Sequence, residues 1–275
     1  LEGLKSMAHA KRSLVLRTAG INCDAETVRA LERAGSQVEL VHLHALLESP
    51  SLLEGASLVV IPGGFSYGDD VSSGRIFGLE LRHGLSSELA RFVDGGGRVL
   101  GVCNGFQVLV ESGLFEREPG STTIPPRAIA LTNNISARFE CRWVHLKGER
   151  CAADWIEAGA VFPVPMAHGE GRFVTLDEAT LTRLEAHGQV ALRYVKADGS
   201  PATGPEDNPN GSTAAIAGLC DRTGRVLGLM PHPERNLDPW NHPEWTRLRA
   251  HGIERKQGEG QGFWDRLVAS LPVLV

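Results

Sequence analysis

From Ser13 to Gly113 the chain alternates short apolar, β-branched runs with longer stretches whose apolar residues recur at helical spacing. Leu14 to Thr18, Val38 to Leu43, Ser57 to Pro62 and Arg98 to Val102 read as strands. Asp24 to Ala34 and Arg75 to Val93 read as helices, the latter with Leu79, Leu85, Leu89 and Phe92 on its apolar positions. Parallel strands cannot be joined by a tight turn, so each crossover lays a helix on the sheet. The expected fold class is α/β, an open and mostly parallel sheet with helices on both faces. Ligands of such sheets gather outside the carboxyl ends of the strands. The turn Pro62-Gly63-Gly64 and Cys103 both fall there.

The run RVLGVCNGFQVLV, Arg98 to Val110, compresses an apolar strand, a cysteine between two glycines and the start of an apolar-faced helix into thirteen residues. It reads as a nucleophile elbow, with Gly101 and Gly105 permitting a sharp turn and close packing of strand on helix. At a helix N-terminus the unpaired N–H groups and the positive dipole end favour thiolate over thiol. A free thiol of pKa 8.5 is only about 3% ionised at pH 7, so a drop of roughly two units gains about thirtyfold in nucleophile. The alternative is a small hydrophobe packed into a core turn, which cysteine often is.

After Gly113 the alternation breaks. Strand-like stretches lie in Ile129 to Leu146, Pro163 to Val174, Gln189 to Val195, Ala214 to Asp221 and Arg225 to Met230. Asp198 to Ser212 is a long turn-rich loop of a length that is usually functional or disordered. A terminal helix is expected over Gly262 to Leu271. We expect one domain over 13–275 with an extension after about residue 236. Residues 1–12 are left outside it as a disordered leader, of which Leu1 to Ser6, ahead of Met7, read as a vector-derived remnant.

With 275 residues, 42% of them hydrophobic, the chain can bury a large core. The formal charge is −5 and the basic residues do not cluster, so the field that would hold a nucleic acid is missing. Cys23, Cys103, Cys141, Cys151 and Cys220 are odd in number and lack metal-ligand spacing, which fits reduced thiols in a cytoplasmic protein. No apolar run approaches the length of a signal sequence core or a membrane span, so no membrane partner is expected.

A cysteine that attacks an acyl group needs a base, a group that orients the base, and donors for the oxyanion. Three His-x-Glu pairs are present. His232 and Glu234 follow the strand Arg225 to Met230, and Pro233 stiffens the link, so the carboxylate can hold the imidazole in one tautomer. His242 and Glu244 follow Asp-Pro-Trp-Asn and read as a surface turn into a helix. His168 and Glu170 are joined by glycine, which leaves their geometry open. The catalytic set preferred is Cys103, His232 and Glu234. The backbone amides of Asn104 and Gly64 are the candidate oxyanion donors, Gly64 because glycine permits an unusual backbone and close substrate approach. Gly63-Gly64 could equally be no more than a tight turn.

Three other features carry less. Cys23 also lies between a strand and a helix, but Asp24 opposes a thiolate there and no glycine pair makes an elbow, so it reads as structural. His42 and His44 have no third ligand at metal spacing, and no metal site is expected. The glycines of GGFSYGDD are not followed by Lys-Ser or Lys-Thr, so no phosphate-cradling loop for ATP is present.

Gly101 to Gln107, with the later His-Pro-Glu, resembles the class I glutamine amidotransferase family. More narrowly, IPGGFSYGDD, GVCNGFQVLVESG, TNNISARFECRW, AHGEGRF, NPNGS and MPHPER, in that order, resemble the glutaminase subunits of phosphoribosylformylglycinamidine synthase. The resemblance covers most of Leu14 to Arg235. It implies a flavodoxin-like domain that hydrolyses glutamine through a Cys103 thioester and passes ammonia to a separate ATP-using synthetase subunit (PurL), often with a small bridging subunit (PurS). It places the triad on Cys103, His232 and Glu234, and glutamine binding on Gln107 and the turn Gly63-Gly64-Phe65. No cofactor is implied for this chain; ATP and magnesium belong to the synthetase. The competing readings are a PfpI-like cysteine hydrolase, which needs neither the His232–Glu234 pair nor the ordered segments, and a non-catalytic pseudo-glutaminase, which would lack one of the three triad residues.

Overall fold

The computed structural model describes residues 11–273; most of the residues expected to form a leader lie outside that range. Eleven strands and eight α-helices follow one another among these residues. The first half runs β1 (Arg12–Arg17), α1 (Asp24–Arg33), β2 (Gln37–His42), α2 (Leu43–Glu48), β3 (Ala56–Ile61), α3 (Arg75–Gly84), α4 (Ser86–Asp94), β4 (Arg98–Val102) and α5 (Asn104–Ser112). The second runs β5 (Ile129–Thr132), β6 (Glu140–Gly148), β7 (Val161–His168), β8 (Arg172–Thr175), α6 (Glu178–Ala186), β9 (Val190–Val195), β10 (Ile216–Cys220), β11 (Val226–Leu229), α7 (Trp245–Ala250) and α8 (Glu259–Ser270).

Nine strands form one sheet in the order β2-β1-β3-β4-β11-β10-β9-β6-β7, and β5 pairs with β8 separately. The pairings from β2 to β11 are parallel, and those from β11 to β7 are antiparallel. The inner parallel strands β1, β3, β4 and β11 are largely buried on both faces, whereas the edge strand β2 buries only Val41. All six residues of β3 are buried, which is why it reads as an uninterrupted apolar run. Helix α1 packs with α8 and α3 with α5. Right-handed crossovers to opposite sides of β1 and β3 put these pairs on opposite faces.

The single helix expected over Arg75 to Val93 is two. It breaks at Leu85, whose φ of −137° leaves the helical region. The break accompanies packing: Leu85 is fully buried, and a Cβ at Gly84 would press on the methyl end of Leu47. The long loop after β9 is present as expected, ending in a short 3₁₀ turn at Thr213–Ala215. Helix α8 starts three residues earlier than its apolar pattern suggested. No helix among the described residues is long and apolar enough to cross a membrane.

Candidate active site

Cys103 stands between β4 and α5 with φ 51° and ψ −107°. That is a sparsely populated conformation for a residue with a side chain, worth about 1–3 kcal/mol of strain, and it survives only where the surroundings fix it. Three contacts do so. The Cys103 N–H donates to Leu229 O at 2.8 Å. Gly105 lies so close to the carbonyl of Ile61 that a Cβ there would collide with it, and Gly101 has the same relation to the carbonyl of Gly105. The glycine pair thus draws α5 down onto β3 and β4 and turns the thiol outward.

The parallel register Val102↔Leu229 sets the end of β4 beside the end of β11. Cys103 follows the first and His232 comes three residues after the second, so neighbouring strands deliver both to one edge of the sheet. The His232 N–H donates to Pro165 O on β7 at 2.8 Å. Its Nδ1 meets Glu234 Oε1 at 2.6 Å, with both side chains buried. The pairing is the expected one, but the backbone that makes it is not extended. Pro233–Arg235 form a 3₁₀ turn that folds the carboxylate back under the ring. Burial alone would push the His232 pKa down; the Glu234 carboxylate and the nearby Cys103 outweigh it and hold the value well above that of an ordinary histidine.

The turn after β3 closes the other side. A bare Gly63 lies against the triad: a Cβ there would stand 2.8 Å from His232 Cε1 and 3.4 Å from Cys103 Cβ. Gly64 has φ +148°, and a Cβ would press on Gly20 O and the backbone of Ile21 and Asn22, so glycine is required. The loop Ala19 to Cys23 grips this turn through Cys23 N to Gly63 O (3.1 Å), Phe65 N to Gly20 O (2.9 Å) and Tyr67 N to Ala19 O (2.8 Å). Neither the Gly64 N–H nor the Asn104 N–H has a hydrogen-bond partner among the described residues. A cavity of about 230 Å³ opens here, with Cys103, His232 and Gly64 on its wall together with Phe65, Phe139 and Arg235.

Two residues stand differently from the sequence expectation. Gln107 does not line this cavity. It is buried, its amide nitrogen donates to the carbonyl of Glu170, and its carbonyl accepts from Asn104 Nδ2 at 3.0 Å. Cys23, read as structural, lines the cavity. Its Sγ accepts from Arg235 Nη2 at 3.0 Å, and burial raises its pKa. Asp24 does not oppose it as supposed, because its carboxylate pairs with Arg17 at 3.7 Å. Phe139 and Arg235 were not singled out as site residues; the adjacent Arg235 carried a signal in MPHPER, whereas nothing local marks Phe139.

The other His-x-Glu pairs are placed elsewhere. His242 accepts from the Glu244 N–H at 3.1 Å in a turn leading into α7, as expected, and its ring packs on Trp143 with centroids 5.2 Å apart. His168 ends β7, buried, with Nδ1 3.1 Å from Asn134 Oδ1. Burial first, then the charge of His232, holds its pKa down to about 3. Glu170 faces away from His168, accepting from Ser72 Oγ at 3.4 Å and Ser73 N at 3.3 Å.

A half-parallel sheet with a cysteine elbow and a His-Glu pair at adjacent strand ends defines the class I glutamine amidotransferase fold. Residues 10–269 match the family model described as a CobB/CobQ-like glutamine amidotransferase domain. The phosphoribosylformylglycinamidine synthase subunit PurQ of Methanococcus maripaludis is 42% identical over 247 residues, 90% of this chain and 89% of that protein. The PurQ subunit of Dehalococcoides mccartyi is 39% identical over 258 residues, 94% and 96% of the two chains. Among solved structures, a chain of PurLQS from Thermotoga maritima superposes with a TM-score of 0.63 at 32% identity, covering 89% of this chain and 97% of that one. The chain belongs to this glutamine amidotransferase family, in its PurQ branch.

Proposed function

We propose that the protein is the glutaminase subunit of a phosphoribosylformylglycinamidine synthase, acting in purine biosynthesis in the cytoplasm. In this reading His232 takes the proton of the Cys103 thiol, and the thiolate attacks the side-chain amide carbon of L-glutamine. Negative charge on the amide oxygen meets the unpaired N–H groups of Gly64 and Asn104; one such donor is worth roughly 3 kcal/mol. His232 returns the proton to the leaving nitrogen, and ammonia departs as the Cys103 thioester forms. Water, deprotonated by the same imidazole, then releases glutamate and restores the thiol. Glu234 orients the ring and stabilises its charged form. Phe65 and Phe139 wall the cavity around the substrate.

What supports this reading above all is the conjunction at one sheet edge of the strained Cys103, the 2.6 Å His232–Glu234 pair and two unpaired amides. Ammonia then passes to a synthetase subunit (PurL), accompanied by a bridging subunit (PurS), which hold the ribonucleotide, ATP and magnesium; this chain needs no cofactor. The decisive experiment is Cys103→Ala in the assembled enzyme. Glutamine-dependent synthesis should vanish while synthesis from an ammonium salt persists. Loss of both activities would refute the assignment.

A further inference from the structure

Cys23 is a buried thiol that the proposed reaction leaves idle. Its Sγ, a ring nitrogen of His232 and a carboxylate oxygen of Glu234 lie within 4.8 Å of one another, and all three residues are buried. One thiolate, one imidazole and one carboxylate are all zinc-type ligands, and three protein ligands leave one position open for water. Ligand atoms on a single zinc stand roughly 3.5 Å apart, given bonds of about 2.0–2.3 Å, so the trio closes on a cation once Glu234 gives up its 2.6 Å bond to His232 Nδ1. A second observation points the same way. His232 Nε2 and Glu234 Oε2 are buried without any hydrogen-bond partner, a condition that a ligand relieves.

We propose that these three residues form an inhibitory site for a thiophilic divalent cation, zinc being the reference case. Binding releases to solvent the Cys23 thiol proton and the proton on the ligating nitrogen of His232, and the thiolate and carboxylate together balance the charge of the ion. Arg235, which donates to Cys23 Sγ, has a second partner in Glu26 Oε1 at 3.4 Å and can retreat to it. The cavity that exposes Cys103 provides the entry path. With its imidazole and carboxylate on the metal, the triad cannot take the proton of Cys103. A hard cation such as magnesium, which prefers oxygen ligands, does not compete.

Zinc affinity of the reduced full-length chain, measured by competition with a chromophoric chelator, tests the site without reference to activity. One equivalent should bind, magnesium should not displace it, and cobalt(II) in its place should show a thiolate charge-transfer band. Cys23→Ser should weaken binding at least about thirtyfold and abolish the band, while His242→Ala binds as the parent does. Should Cys23→Ser fold poorly, Glu234→Gln probes the same trio and should weaken binding at least about tenfold. No stoichiometric binding would overturn the site, and affinity and band unchanged in Cys23→Ser would overturn it and put the metal on another thiol such as the exposed Cys141. The inhibitory role rests on the glutaminase reading. Zinc should stop glutamine hydrolysis with the same constant, and a chelator should restore it. Binding without inhibition overturns that role. Binding intact in a metal-free protein that never hydrolyses glutamine refutes the glutaminase reading and leaves the metal site standing.

Discussion

Gly63 presses its bare Cα against the ring of His232, where a single added methyl would lie 2.8 Å from Cε1. The same methyl would stand 3.1 Å from Cys23 Sγ and 3.4 Å from Cys103 Cβ. The nearest of these atoms belongs to a ring pinned by Glu234 rather than to a flexible chain end, so the imidazole itself must shift. A misplacement of order 1 Å can reduce a rate about 10²-fold. Gly63→Ala should therefore lower kcat for glutamine hydrolysis between about tenfold and a hundredfold, with KM changed less. Steady-state kinetics check this; a kcat within twofold of the parent would show that the ring has room to spare.

The choice among the histidine pairs is decided by two variants. His232→Ala removes the base that faces Cys103 and should reduce turnover by at least about 10². His242 lies in a surface turn against Trp143, and His242→Ala should leave turnover within about twofold. Similar losses at both positions would sink the triad assignment.

Acid should act on His168. In the folded chain its pKa is held down to about 3, against 6.5 for the free side chain. Below pH 6.5 the unfolded chain takes up a proton that the folded chain refuses until about pH 3. Stability therefore falls as pH drops through that window, by at most about 1.4 kcal/mol per pH unit for one proton. His168→Gln should be less stable at neutral pH, through its altered contact with Asn134, yet lose stability less steeply with acid. Denaturant midpoints from pH 7 to pH 4 give the two slopes; parallel curves would show that His168 is not the titrating group.

Gln107 joins α5, which opens at the elbow, to the carbonyl of Glu170, and Glu170 in turn contacts Ser72 and Ser73. This gives a physical route from the polar segment His168–Gly171 to the nucleophile. We expect the free chain to be a slow glutaminase that speeds up at least tenfold with the synthetase and its ligands, a coupling of only about 1.4 kcal/mol. Glu170→Ala should lose most of that activation and keep the free rate. If the free chain already turns over as fast as the complex, coupling of this kind does not exist.

How much could be read in the residues depended on how local the cause was. The elbow was legible because strand, glycines, cysteine and helix are contiguous. The His232–Glu234 pair was legible because it directly follows an apolar strand. The place of Cys23 on the cavity wall was hidden because what brings it there is not near it in sequence: Gly63 approaches from β3, and Arg235 from the far end of the chain. Gln107 showed a polar residue at the start of a helix but not that nearly all of α5 is buried, nor that its amide bonds to Asn104 and to the carbonyl of Glu170. The break at Leu85 was hidden for a similar reason, since the contact of Gly84 with Leu47 joins segments far apart in sequence.

The position of β11 has a consequence for the life of the polypeptide before it is finished. This strand is the last of the eleven described strands in chain order, yet it lies in the middle of the sheet, between β4 and β10. The elbow hangs from it through the bond from Cys103 to Leu229, and the base comes just after it. A nascent chain still held on the ribosome thus displays the thiol with no imidazole beside it and no strand to hold its backbone in the reactive turn. A copy cut short before β11 therefore lacks both the base and the support of the reactive turn.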